Sequence, residues 1–240
     1  MNKLLKYGTG LSLFCLLLGS CDEGKIYPDE SIDAGRTATI QVSFTGVRAY
    51  PNFNMLAFAA FGEDGQEPLL TQRLSRPTEG RTEEYTLMGL PADTKSVGIA
   101  VISKGQTLVY KYYTVDIDAS AKETTIPLVS VNLACYDRIQ KQVFDASCIA
   151  CHGKSAGTPA GNLFLTEGKS YAALVNVKAD AAVANQKFYV TPGEPEQSFL
   201  LDILSEDILR HNHTDIFNGS ETIEINNLLN AWINKGAEEE

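Results

Sequence analysis

Phe144-Asp145-Ala146-Ser147-Cys148-Ile149-Ala150-Cys151-His152-Gly153 is the stretch from which the rest of the chain is read. Two cysteines two residues apart, with a histidine directly after the second, form the pattern by which c-type haem is attached. Both thiols become thioethers on the vinyl groups of one porphyrin, and the adjacent imidazole reaches the iron. The spacing follows from the chemistry: two sulfurs must meet neighbouring edges of a flat ring while the histidine turns beneath its centre. Cys148 and Cys151 are therefore expected to hold one covalent haem c, and His152 to bind its iron.

Two other readings compete for the same residues. A thioredoxin-like redox pair belongs in a strand-to-helix context, whereas here a helical pattern precedes the motif and a Gly, Ser and Pro loop follows it. A zinc site would join Cys148 and Cys151 to His211 and His213. Those histidines are one residue apart instead of the usual three to five, and His152 would be left without a role.

Working toward the N-terminus, Lys3 and Lys6 precede the apolar run Leu11 to Leu18, and Leu18-Gly19-Ser20-Cys21 closes it with small residues before a cysteine. Residues 1–20 read as a signal peptide; the apolar run is too short to span a bilayer comfortably. The close resembles the lipobox of bacterial lipoproteins, which makes Cys21 the lipidation site and the mature N-terminus. The protein is then extracytoplasmic and anchored to the outer membrane, on its periplasmic side or at the cell surface. Asp22-Glu23 resembles export signals that send some lipoproteins to the surface. Cys15 leaves with the signal, so Cys135 is the one cysteine without an assigned role and is expected to be a buried structural thiol.

The formal net charge is −10, from 20 Lys and Arg against 30 Asp and Glu. Removing the signal discards two of the bases and no acid. Nucleic acid is excluded as a partner on that balance; a basic or neutral redox partner protein suits it better.

Residues 21–36 are polar, lack a sustained period and read as a tether. From residue 37 the period becomes two, most clearly at Ile40, Val42 and Phe44 with Gln41, Ser43 and Thr45 between them. Seven such segments are predicted as strands: 38–47, 55–61, 68–74, 83–88, 96–102, 107–116 and 124–131. Turn residues such as Gly62-Glu63-Asp64-Gly65 and Pro91-Ala92-Asp93 separate them. Seven short strands over residues 37–132 predict an all-β sandwich resembling immunoglobulin or fibronectin type III modules. The stretch Tyr110-Lys111-Tyr112-Tyr113 reads as one of its strands.

After Val131 the period changes to that of a helix. Helices are predicted over about 134–147, 170–177 and 199–204, with Ser198 capping the last of these, and from about 220 to a stop at Gly236. Residues 133–240 are thereby expected to form a second, all-α domain. That part resembles the planctomycete-type cytochrome c domain in four places: Phe144 to Gly153, Gly161-Asn162-Leu163, Pro192-Gly193-x-Pro195-x-x-Ser198, and Trp232-Ile233-x-x-Gly236-Ala237. The resemblance implies a cytochrome c-like fold in which the first and last helices cross, with Phe144 against Trp232.

The resemblance also implies a methionine before the last helix as sixth iron ligand, and here the chain departs from it. The expected position falls near Arg210-His211-Asn212-His213-Thr214, which contains no methionine. Beyond the signal the chain has only Met55 and Met88, both in strand segments. His213 becomes the first candidate for the sixth ligand and His211 the alternate. Two histidines give a haem of low potential, since methionine is the ligand that raises it. The expected function is one-electron transfer by a lipoprotein. The alternatives are a haem enzyme or gas sensor with an open distal side, and a surface binding protein with an auxiliary haem.

Overall fold

The computed structural model describes residues 35–153 and 158–239, so the signal peptide, Cys21 and nearly all of the tether lie outside the described residues. Seven strands form two sheets: β1 (Arg36–Thr45), β2 (Met55–Phe61), β3 (Pro68–Arg73), β4 (Thr82–Leu90), β5 (Ser96–Ile102), β6 (Leu108–Asp116) and β7 (Glu123–Asn132). One sheet has the order β4-β1-β7 and the other β3-β2-β5-β6. Alternation explains their packing. Ala38, Ile40, Val42 and Phe44 of β1 are fully buried and meet Leu56, Phe58 and Ala60 of β2 and Val97 and Ile99 of β5 across the sandwich.

The strand order is not that of an immunoglobulin-like module. There the first strand lies beside the second in one sheet; here β1 runs antiparallel to β4 and parallel to β7, while β2 belongs to the opposite sheet. A parallel partner must return by a long crossover, and this one takes the whole of β2 to β6. Pro127 marks where β7 cannot donate to the ladder: the β1–β7 register shifts between Ile40–Ile126 and Val42–Val129. Its place on an edge strand makes that tolerable.

The expected second domain is corrected more strongly. Among the described residues there is no large all-α unit after β7, and those from 35 onward form one compact body. A continuous helical run crosses Tyr136–His152, composed of α1 (Tyr136–Ile139), a π-helical segment (Gln140–Cys148) and α2 (Ile149–His152). Beyond it come α3 (Ser170–Leu174), α4 (Phe199–Ser205) and α5 (Gly219–Asn234), joined by 3-10 turns and isolated β-bridges. Pro192, Gly193 and Pro195 keep the intervening helical patterns short. The apolar faces of α1 and α5 pack with the sandwich interior in a single cluster running from Ala38 through Ile139 and Phe144 to Trp232. Among the described residues no helix is long and apolar enough to cross a membrane.

Two buried polar residues fix the join. Arg138 and Glu224 form an ion pair at 3.2 Å with both side chains fully buried. Arg138 also donates to the Ala49 carbonyl (2.7 Å), the Tyr112 hydroxyl (2.8 Å) and Gln142 (2.8 Å). Glu224 accepts from the amides of Phe53 and Asn54 and from the side chains of Asn54 and Gln142. The tyrosines of β6 serve the same junction: Tyr110 donates to Asp137 and Tyr112 to the Leu133 carbonyl.

Candidate haem site

The helical run carries the cysteines and His152 as one rigid element. A nine-residue π-helical stretch is unusual, since such segments occur mostly as single turns and often at functional sites. It delivers Cys148 half-buried, Cys151 exposed and His152 half-buried at the end of α2. Gly153 closes the element, because a Cβ there would lie 2.3 Å from the Ile149 carbonyl oxygen. Burial, with Cys151 close by, pushes the Cys148 thiol up to about 12. A redox-active C-x-x-C needs the opposite shift, toward a thiolate.

His152 is oriented from the Gly161-Asn162-Leu163 segment. Gly161 and Asn162 both have positive φ, 60° and 52°, a conformation these two residue types tolerate best. The turn brings the Leu163 carbonyl to 3.2 Å from His152 Nδ1, and the Leu165 amide donates to the His152 carbonyl at 2.9 Å. Burial lowers the His152 pKa below the ordinary histidine value, with the neighbouring carbonyls opposing it. A carbonyl only accepts, so Nδ1 carries the proton toward Leu163.

His213 reaches the same place from a tight turn before α5. Asn212 Oδ1 accepts from the Thr214 amide (2.9 Å) and hydroxyl (2.8 Å), and His213 Nδ1 lies 2.8 Å from the His211 carbonyl. The His152 and His213 rings are 6.4 Å apart between centroids and tilted by 33°. His211 stacks edge-on against His213 at 5.1 Å. The structure thus brings His152 and His213 together, with His211 behind His213.

The donor set fits a haem iron. The His152 and His213 rings, 6.4 Å apart between centroids, leave two neighbouring imidazoles of the donor type a haem iron takes. Among the described residues no three His, Cys, Asp or Glu side chains are grouped as an ion site made by protein alone; an iron in porphyrin takes only two ligands from the chain.

Behind the site, Phe144 and Trp232 are both buried, but Tyr136 stands between them, 6.2 Å from the Phe144 ring and 5.1 Å from that of Trp232. Ser198 does not cap α4; its hydroxyl accepts from the Thr191 amide and donates to the Glu194 carbonyl, closing the Pro192 loop. That loop is tied to the last helix by the Gly193 amide on the Ile233 carbonyl. Cys135 is half-buried, 3.5 Å from the Tyr110 hydroxyl. The backbone supports of the two histidines were beyond sequence reasoning, although Asn212-x-Thr214 is a recognisable turn signal.

Comparison with known protein families and with curated proteins finds no match for this chain.

Proposed function

We propose that this protein is an extracytoplasmic lipoprotein that carries single electrons on one covalently attached c-type haem. Cys148 and Cys151 would hold the group through thioethers, and His152 and His213 would supply nitrogen donors to its iron. When bound, haem supplies a one-electron Fe(III)/Fe(II) couple. The chain's part is to hold both imidazoles in the Nδ1-protonated form through the Leu163 and His211 carbonyls. Two fixed nitrogen donors suit an iron whose geometry changes little on electron transfer and leave no position for substrate, so the role is that of a carrier.

The observation that carries this reading is the 6.4 Å spacing of His152 and His213, each with Nδ1 on a carbonyl. The motif-level resemblance to planctomycete-type cytochromes c supports it. A lipid on Cys21 would tether the protein to the outer membrane, in a compartment that suits covalent haem, and an unidentified protein would serve as redox partner.

Optical and electron paramagnetic resonance spectra of the haem-loaded protein test it. Wild type is expected to be low-spin with two nitrogen ligands, His213→Ala high-spin, and His211→Ala low-spin. A high-spin wild type that binds carbon monoxide or cyanide rapidly would overturn the carrier reading in favour of catalysis or sensing.

A further inference from the structure

A cleft of about 530 Å³ opens where the end of β1 meets α5. That is large enough for a small organic ligand. Its charge runs against that of the chain. In a protein of net charge −10, three cationic side chains from three different segments line it: Arg48, Arg76 and Lys235, with the Asn234 amide beside them and Ala231 behind.

The lone acid there, Glu79, is committed to the backbone. Its two oxygens accept from the Gly46 and Val47 amides at 2.9 Å each, which fixes the turn that carries Arg48. Gly46 has φ 66°, and a Cβ there would lie 2.8 Å from Asn132 Oδ1, so this wall packs closely against the end of β7. Lys235 is pinned on the same rim, 3.2 Å from Asn132 Oδ1. The Arg76 guanidinium lies over the Tyr50 ring at 5.4 Å and makes a long bond of 3.4 Å to Asn52. Arg48 makes no side-chain hydrogen bond or ion pair among the described residues. Planar guanidinium groups match tetrahedral oxyanions through paired donors, and a lysine adds a point charge.

We infer that this cleft is a binding site for a small phosphate-bearing anion, separate from the cysteine and histidine site. Arg48 and Arg76 grip the oxyanion, Lys235 completes the charge, and Asn234 contacts the remainder of the ligand.

Titration calorimetry of the intact protein with inorganic pyrophosphate and inorganic phosphate tests this directly. Saturable binding is expected, tighter for pyrophosphate. The R48Q/R76Q double variant should weaken it by about tenfold or more, from the loss of charge-assisted bonds. Lys235→Gln lies on a different segment, lowers affinity in the same direction and guards against a folding defect in the double variant. Lys122→Gln, just before β7 and outside the cleft lining, removes the same single charge as Lys235→Gln and leaves affinity unchanged. Absence of saturation with both anions overturns the proposal, as does equal weakening by Lys122→Gln, which would reduce the effect to overall charge. Arg48- and Arg76-dependent binding to phosphatidylglycerol vesicles without pyrophosphate binding would transfer the site to a membrane surface and overturn it too.

Discussion

Arg138 and Glu224, 86 residues apart in the chain, meet at 3.2 Å with neither side chain exposed. A buried ion pair is a weak source of net stability, but removing one partner leaves an uncompensated charge and costs about 3–5 kcal/mol. Here the cost falls on the join between sandwich and helices, because Glu224 also satisfies the Phe53 and Asn54 amides. Glu224→Leu is expected to lower the urea-unfolding free energy by that amount, and the R138M/E224L double variant should recover little of it, since those amides stay orphaned. Unfolding is expected as one transition by both tyrosine fluorescence and circular dichroism. Two separate transitions, or a loss under about 1 kcal/mol, would sink the view that this network makes one body of the chain.

Gly153→Ala tests the close of the haem-motif helix. The added Cβ would lie 2.3 Å from the Ile149 carbonyl oxygen, so the backbone of α2 or of residue 153 itself must shift. Overpacking of this kind costs about 1–3 kcal/mol, and it acts one residue from His152. The variant is expected to be less stable in urea and to hold haem in lower yield per polypeptide. Wild-type stability and full haem content would show that the backbone here yields easily.

Tyrosines at the junction set an alkaline limit. Burial raises Tyr112 well above the ordinary value of 10.0 despite the opposing Arg138 charge, and burial also raises Tyr110 and Tyr136. The folded protein therefore keeps protons that the unfolded chain gives up. Stability from this source is fully present below about pH 10 and is lost as pH rises above it. Phenolate absorbance should show part of the ten tyrosines ionising only as the fold is lost, and Tyr112→Phe should flatten the decline. Complete ionisation near pH 10 with native circular dichroism would contradict this.

The strands were legible because their signals are local. Alternation at Ile40, Val42 and Phe44 and the turns between segments needed no knowledge of the rest of the chain. The order of those strands was not, since the parallel β1–β7 pair closes over some eighty residues and no local pattern encodes it. The change of period after Val131 marks a true change of secondary structure, but the helices that follow make no large all-α unit among the described residues. What ties the helices to the strands is the contact of Arg138 with Ala49 and of Glu224 with Asn54, polar residues that periodicity places on no apolar face. At the candidate site, spacing alone singles out Cys148, Cys151 and His152, and the scarcity of histidine singles out His213, whose ring the fold sets 6.4 Å from that of His152. The Leu163 carbonyl was not, because a backbone oxygen leaves no mark in composition or spacing.

Asn212 provides the last prediction, because it separates positioning of His213 from ligation by it. Its Oδ1 accepts both the amide and the hydroxyl of Thr214, and this turn is what holds His213 opposite His152. Removing the acceptor should cost about 1 kcal/mol of the turn's preference, a factor of about five in the equilibrium between bound and released His213. Asn212→Ala is thus expected to mix a high-spin fraction into the spectrum of the haem-loaded protein, growing with temperature, while His152 stays bound. Asn212→Asp keeps an acceptor oxygen at the same place and should restore the wild-type spectrum. If Asn212→Ala and Asn212→Asp both match wild type, the turn does not position the histidine. If Asp behaves like Ala, the amide itself matters and the account of the turn fails.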